Sequence, residues 1–143
     1  MGNQYDEDFY GWTQAQAFAL RNYQLGGLDV EHLAEEIEDL GQNQRYAIES
    51  HLETLLLHLL KYRYGPAQEP RCRWRLTIRN ARREIKKRAV GSLQHHPKEY
   101  LETAYAHAVE DAPDATGLPA STFPERCPWS ADLVLVDDFW PEA

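Results

Sequence analysis

The chain is predicted to fold as an all-α, four-helix-type bundle with a long central second helix and an ordered aromatic, proline-rich C-terminal segment. Three observations predict this. Apolar residues recur at helical spacing through most of the first 112 of the 143 residues. Helix start and stop residues punctuate those stretches. From Pro113 onward prolines and large aromatics replace the periodic pattern.

Asp6 and Asp8 are placed to cap a first helix from about Phe9 to Gln24, with Gly26 and Gly27 as its stop. Phe9, Trp12, Ala15, Ala19, Leu20 and Tyr23 share its apolar stripe. Asp29 caps the second helix, which the pattern carries to about Tyr64, where Gly65-Pro66 ends it. Leu33, Ile37, Leu40, Gln44, Ala47, Ile48, His51, Leu55, His58 and Tyr62 fall on one face of that helix. Opposite it, in the first two-thirds, lie Glu31, Glu35, Glu38, Gln42, Glu49 and Glu53. In the last third that opposite face turns apolar through Leu56, Leu57 and Leu60, which predicts either the centre of the core or a subunit interface. Gly41 is expected to mark a bend or a close-packing point.

A third helix is expected from about Pro70 to Val90, with Trp74, Ile78, Ala81 and Ile85 turned inward. A fourth begins at Pro97, buries Tyr100, Leu101, Ala104, Tyr105, Ala108 and Val109, and is expected to stop at Pro113. Ser130 then caps a short helix through about Val136. Phe123, Trp129, Phe139 and Trp140 are the aromatics that should fold the C-terminal segment onto the bundle. The division expected is one helical domain over 1–143, a bundle of about 6–112 and a wrap of about 113–143.

Composition narrows function more than it names one. A net charge of −8 argues against generalised binding to nucleic acid or anionic membrane. No apolar run approaches the roughly 18 residues of a membrane-spanning helix. The acidic N-terminus is unlike a secretory signal, and Met1-Gly2 is followed by no myristoylation pattern. Cys72 and Cys127 have no CxxC partner, so thiols in a cytoplasmic protein are expected.

The charge is segregated. Residues 63–88 hold ten basic side chains against Glu69 and Glu84, a net +8, so the rest of the chain carries −16. On the third helix Arg75, Arg79, Arg82, Arg83 and Lys86 form a stripe away from Trp74. Phosphates would suit such a stripe, and Arg75, Arg79, Arg83 and Lys86 are the nucleic-acid candidates. The plainer expectation is a solvated helix face, or one lying against the acidic face of the second helix. Aromatic interleaving for base stacking is absent from the basic face.

His51 and His58 are the metal candidates, since bundles hold metals with inward histidines and carboxylates. Seven residues of helix separate them by about 10 Å, and the chain has neither Glu-x-x-His nor HExxH. His58, flanked by leucines, reads more simply as a core histidine bonded to a carbonyl or carboxylate. No GxSxG, P-loop or cysteine motif marks a nucleophile or a phosphate cradle, and no cofactor is expected. His95 and His96, before Pro97, are expected to serve a turn or cap.

Several strings together resemble one family. DEDFYGWTQAQA (6–17), LDVEHLAEEIEDLG (28–41), HLETLLLHLLKYRYGP (51–66), RWRLTIRNARREI (73–85), TGLPASTFPERCPW (116–129) and DDFWP (137–141) are similar, in order, to the bacterial "domain of unknown function 29" family. The resemblance implies an all-α fold with no assigned activity, and it carries over no established catalytic residues. Its recurring positions would here be Trp12, Glu35, Glu36, Leu40, Gly41, His58, Lys61, Trp74, Thr77, Ile78, Arg82, Pro119, Phe123, Pro124 and Pro128. Among these, Glu35, Glu36, His58, Lys61 and Arg82 are expected to meet as a polar network between the second and third helices.

The function expected is therefore that of a small non-enzymatic interaction protein that self-associates through Leu56, Leu57 and Leu60. The alternatives are a nucleic-acid-binding or regulatory protein using the basic helix, and a metal-dependent enzyme in a helical bundle. A protein partner is compatible with the first, and no membrane partner is expected.

Overall fold

The structure, a computed structural model, describes residues 3–66 and 71–142. It is all-α, with no strand among the described residues. Met1-Gly2, Glu69 and Pro70 lie outside them. Six α-helices appear in order among the described residues: α1 Gln4–Glu7, α2 Phe9–Arg21, α3 Val30–Tyr64, α4 Arg71–Arg88, α5 His96–Thr116 and α6 Ala131–Val134. The chain forms two compact units, Met1–Gln42 and Asn43–Ala143, with the boundary inside α3.

In the N-terminal unit the Asp8 side chain accepts from the Gly11 amide and caps α2. Gly26 and Gly27 do not end that helix. It stops at Arg21, where Tyr23 takes a left-handed φ of 56°. The Tyr23 and Gln24 amides then turn back onto the carbonyls of Leu20 and Ala19. This is a Schellman closure with tyrosine where glycine is usual. Asp29 caps α3, accepting from the His32 amide at 3.4 Å. Of the stripe expected on α2, Trp12 and Ala19 are buried, while Phe9, Leu20 and Tyr23 are exposed. The buried position between them is polar, Gln16. A Cβ at Gly41 would meet nothing, so that glycine is no close-packing point.

The second unit has a dense core. Ile48, Leu52, Leu55, Leu56, Leu59 and Leu60 from α3 pack with Ile78, Ala81 and Ile85 of α4. Leu101, Ala104, Tyr105, Ala108 and Ala112 of α5 join the same cluster. Leu56 and Leu60 are wholly buried in it and Leu57 packs against it. Of the leucines expected to pair copies, Leu56 and Leu60 are core, packed in one cluster with α4, α5 and the C-terminal segment, and Leu57 is partly buried against that cluster. Gly65 ends α3 where any Cβ would collide with the Lys61 carbonyl and the Trp74 ring.

Pro113 does not stop α5, which runs on to Thr116. Proline forfeits its own amide donor, yet its carbonyl still accepts from Gly117, whose φ of 73° makes the true cap. Beyond it Phe123, Ala131 and Val134 enter the core, with Trp129, Phe139 and Trp140 packed against it. The expected aromatic wrap is present. Ser130 caps α6 by accepting from the Leu133 amide.

Candidate functional site

Two concave surfaces stand out, one in each unit. The groove of the N-terminal unit lies between α2 and the first turns of α3. Phe9, Trp12, Gln16 and Leu20 line one wall and Leu33, Glu36, Ile37 and Leu40 the other, around a cavity of about 380 Å³. The groove floor is fastened by polar contacts. Trp12 Nε1 donates to Asp29 at 3.0 Å, and Gln16 accepts from the Asp29 amide at 2.8 Å. Tyr5 stacks on His32, with ring centroids 3.9 Å apart, and donates its hydroxyl to Glu36. That bond to a carboxylate holds the Tyr5 phenol well above its ordinary pKa. The hydrogen bond that His32 Nδ1 donates to the Asp29 carboxylate raises the His32 pKa and lowers that of Asp29.

With its polar groups so tied down, the unit leaves its apolar ones in the open. Phe9, Leu20, Ile37 and Leu40 in the groove are 48%, 50%, 65% and 67% exposed. Nine of the fourteen exposed large hydrophobic side chains among the described residues lie in this unit. Isolated exposed apolar residues need no explanation, but a contiguous set lining one groove marks an interaction surface. Around it the unit carries nine carboxylates and one basic residue, Arg21, for a net charge of −8.

The second concavity lies on α4. Arg75, Arg79, Arg83, Lys86 and Lys87 line a cavity of about 740 Å³ together with Asp137, Asp138 and Trp140. The helical pattern places no aromatic on the basic face, but the C-terminal segment brings one. The guanidinium carbons of Arg75, Arg82 and Arg79 lie 4.5, 5.1 and 5.7 Å from the Trp140 ring. Tyr62 packs against the same indole at 5.4 Å. Lys86 pairs with Asp137 at 2.8 Å, so this salt bridge runs to the C-terminal segment and not to the acidic face of α3.

Arg82 leaves the expected solvated stripe altogether. It is 1% exposed and donates to the carbonyls of Val134, Asp137 and Phe139 at 2.7, 3.3 and 2.7 Å. Burial pulls its pKa down, opposed by the nearby Asp137 carboxylate.

The expected polar network therefore does not assemble. Glu36 serves Tyr5, and Glu35 is exposed. His58 donates from Nδ1 to the Thr54 carbonyl at 2.8 Å, and burial lowers its pKa. Lys61 lies over Trp74 at 5.4 Å. Among the described residues no group of three metal-ligating side chains gathers at His51, at His58 or elsewhere. The histidines that do pair with carboxylates are others. His96 meets Glu49 at 2.7 Å, and His107 meets Glu53. His96 thus ties α5 to α3 instead of capping a turn. Helical period alone predicts none of this, because it fixes faces and not the neighbour each face meets.

The match to a family model runs over residues 4–140, nearly the whole chain. The chain belongs to the family Domain of unknown function DUF29. For this DUF29 member no curated protein and no solved structure matches. Within the DUF29 match lie both concavities, the Arg82 anchor and the Tyr5, Trp12 and His32 cluster. No helix among the described residues is long and apolar enough to cross a membrane.

Proposed function

We propose that this chain is a non-enzymatic interaction protein whose N-terminal unit docks a basic amphipathic helix of a partner protein. One observation carries the proposal. The groove between α2 and α3 presents Phe9, Leu20, Ile37 and Leu40 about half-exposed or more, in a unit with a net charge of −8. An amphipathic helix lays its apolar stripe into such a groove through residues spaced three and four apart. Lysines and arginines flanking that stripe would meet the surrounding carboxylates, which favours encounter and orientation.

The same charge speaks against a second copy in the groove. Two faces of −8 would repel, most strongly at low ionic strength. The chain's own basic helix, α4, has its apolar stripe of Trp74, Ile78, Ala81 and Ile85 buried in the core, so it has none to offer. Both cysteines are thiols, and Cys72 is exposed, which suits a reducing, cytoplasmic setting.

Calorimetric titration with a leucine/lysine amphipathic peptide of about 18 residues, roughly 27 Å of helix, tests the proposal. Saturable one-to-one binding is expected, with none by the leucine/glutamate counterpart. Equal binding of both peptides, or of neither, overturns it. So does a light-scattering mass of two chains that Ile37→Glu reduces to one, since a second copy would then occupy the groove.

A further inference from the structure

The basic concavity of the second unit shares no lining residue with the N-terminal groove and is left unused by the docking proposal. Of its five cationic side chains, only Lys86 has a carboxylate partner among the described residues. Arg83 reaches no further than the Asn80 side-chain oxygen, at 3.4 Å. The Arg75 Nε is buried with no hydrogen-bond partner among the described residues. Below them sits the Arg82 charge, balanced by three main-chain carbonyls and no direct carboxylate contact. Positive charge is thus concentrated at one spot of a unit that has fourteen basic and fourteen acidic residues in all.

We propose that this concavity binds a compact polyphosphate, a small molecule carrying several phosphate groups in a row. Planar guanidinium groups match phosphate oxygens two at a time, and the Trp140 ring holds Arg75 and Arg79 in place before any ligand arrives. That ordering lowers the entropy lost on binding. The volume of about 740 Å³ suits a small ligand. A nucleic-acid polymer suits it less well. Asp137 and Asp138 line the same cavity, so carboxylates interrupt the basic surface, which a polymer would need as a continuous track. Tyr62 and the arginines also crowd the indole that a base would need for stacking.

Titration of the full-length protein with inorganic tripolyphosphate tests this, with a single-stranded oligonucleotide as the second arm. One tripolyphosphate per chain is expected to bind. The Arg79→Glu/Arg83→Glu variant, altered at two exposed positions, should bind about tenfold more weakly or not at all with its thermal midpoint retained. Asp138→Asn removes a carboxylate from the cavity and should tighten binding, a gain that general damage to the fold would not produce. Absence of tripolyphosphate binding, or equal affinity in the double variant, overturns the proposal. Oligonucleotide binding that tightens with length and exceeds tripolyphosphate also overturns it, in favour of a polymer site.

Discussion

Arg82 on α4 donates from its guanidinium to the main-chain carbonyl of Phe139 at 2.7 Å, across 57 residues of sequence. With two further carbonyls, Val134 and Asp137, it makes one buried side chain the fastening of the C-terminal segment. Those three acceptors also explain why a buried arginine needs no carboxylate in direct contact.

Replacing it with Met, similar in length and without donors, leaves the buried Val134 carbonyl unpaired. A loss of about 3 kcal/mol is expected in denaturant unfolding. Lysine should not restore it, because one ammonium cannot span three carbonyls in fork geometry. Hydrogen exchange should quicken at the α6 amides and at Phe139, whose main-chain bonds depend on that anchorage.

Leu56 separates core from surface. It is wholly buried in the second unit, so Leu56→Ala should cost about 2–5 kcal/mol at any protein concentration. Equilibrium unfolding at two concentrations checks this. A cost confined to high concentration would return the residue to a subunit interface.

Two histidines should respond to pH in opposite senses. His32 has its pKa raised above the ordinary 6.5 by the hydrogen bond to Asp29. Its contribution is present below pH 6.5 and is lost as pH rises through the raised value. The lowered pKa of Asp29 adds a contribution that is present above 3.8 and is lost on acidification. His58 has its pKa lowered, first by burial, so the unfolded chain takes up its proton more readily. Its environment therefore destabilises the fold as pH falls below 6.5. Ring-proton NMR titration should find His32 above and His58 below the ordinary histidine value.

Much of the architecture is legible in the sequence, because local chemistry writes it. Asp29 and Ser130 cap where expected, and Trp74, Ile78, Ala81 and Ile85 turn inward together. What escapes is set by distant neighbours. Arg82 lies four residues after Ile78 and three before Ile85, at the edge of the apolar stripe, while Arg79 and Arg83 lie further round the helix, but its charge reads as a surface residue until the carbonyls it meets are known. The aromatic beside the basic stripe lies more than fifty residues downstream, at Trp140. Pro113 and Tyr23 mislead for a different reason. A proline can occupy a last helical turn whose carbonyls find donors, and a tyrosine can take a left-handed cap when two closing amide bonds offset the strain. The N-terminal groove is half legible. Its apolar period is visible, but period alone does not say whether a face is covered.

Whether the groove recognises a partner by its apolar lining or only by charge is decided by Ile37→Glu. The substitution adds a negative charge to a unit already at −8 and removes apolar surface from the groove wall. If attraction were purely electrostatic, the leucine/lysine peptide would bind the variant more tightly than the parent. Docking in the groove predicts the reverse, a loss of about tenfold or more in calorimetric affinity, with the fold intact because Ile37 is 65% exposed. Unchanged or tighter binding by Ile37→Glu would contradict the account.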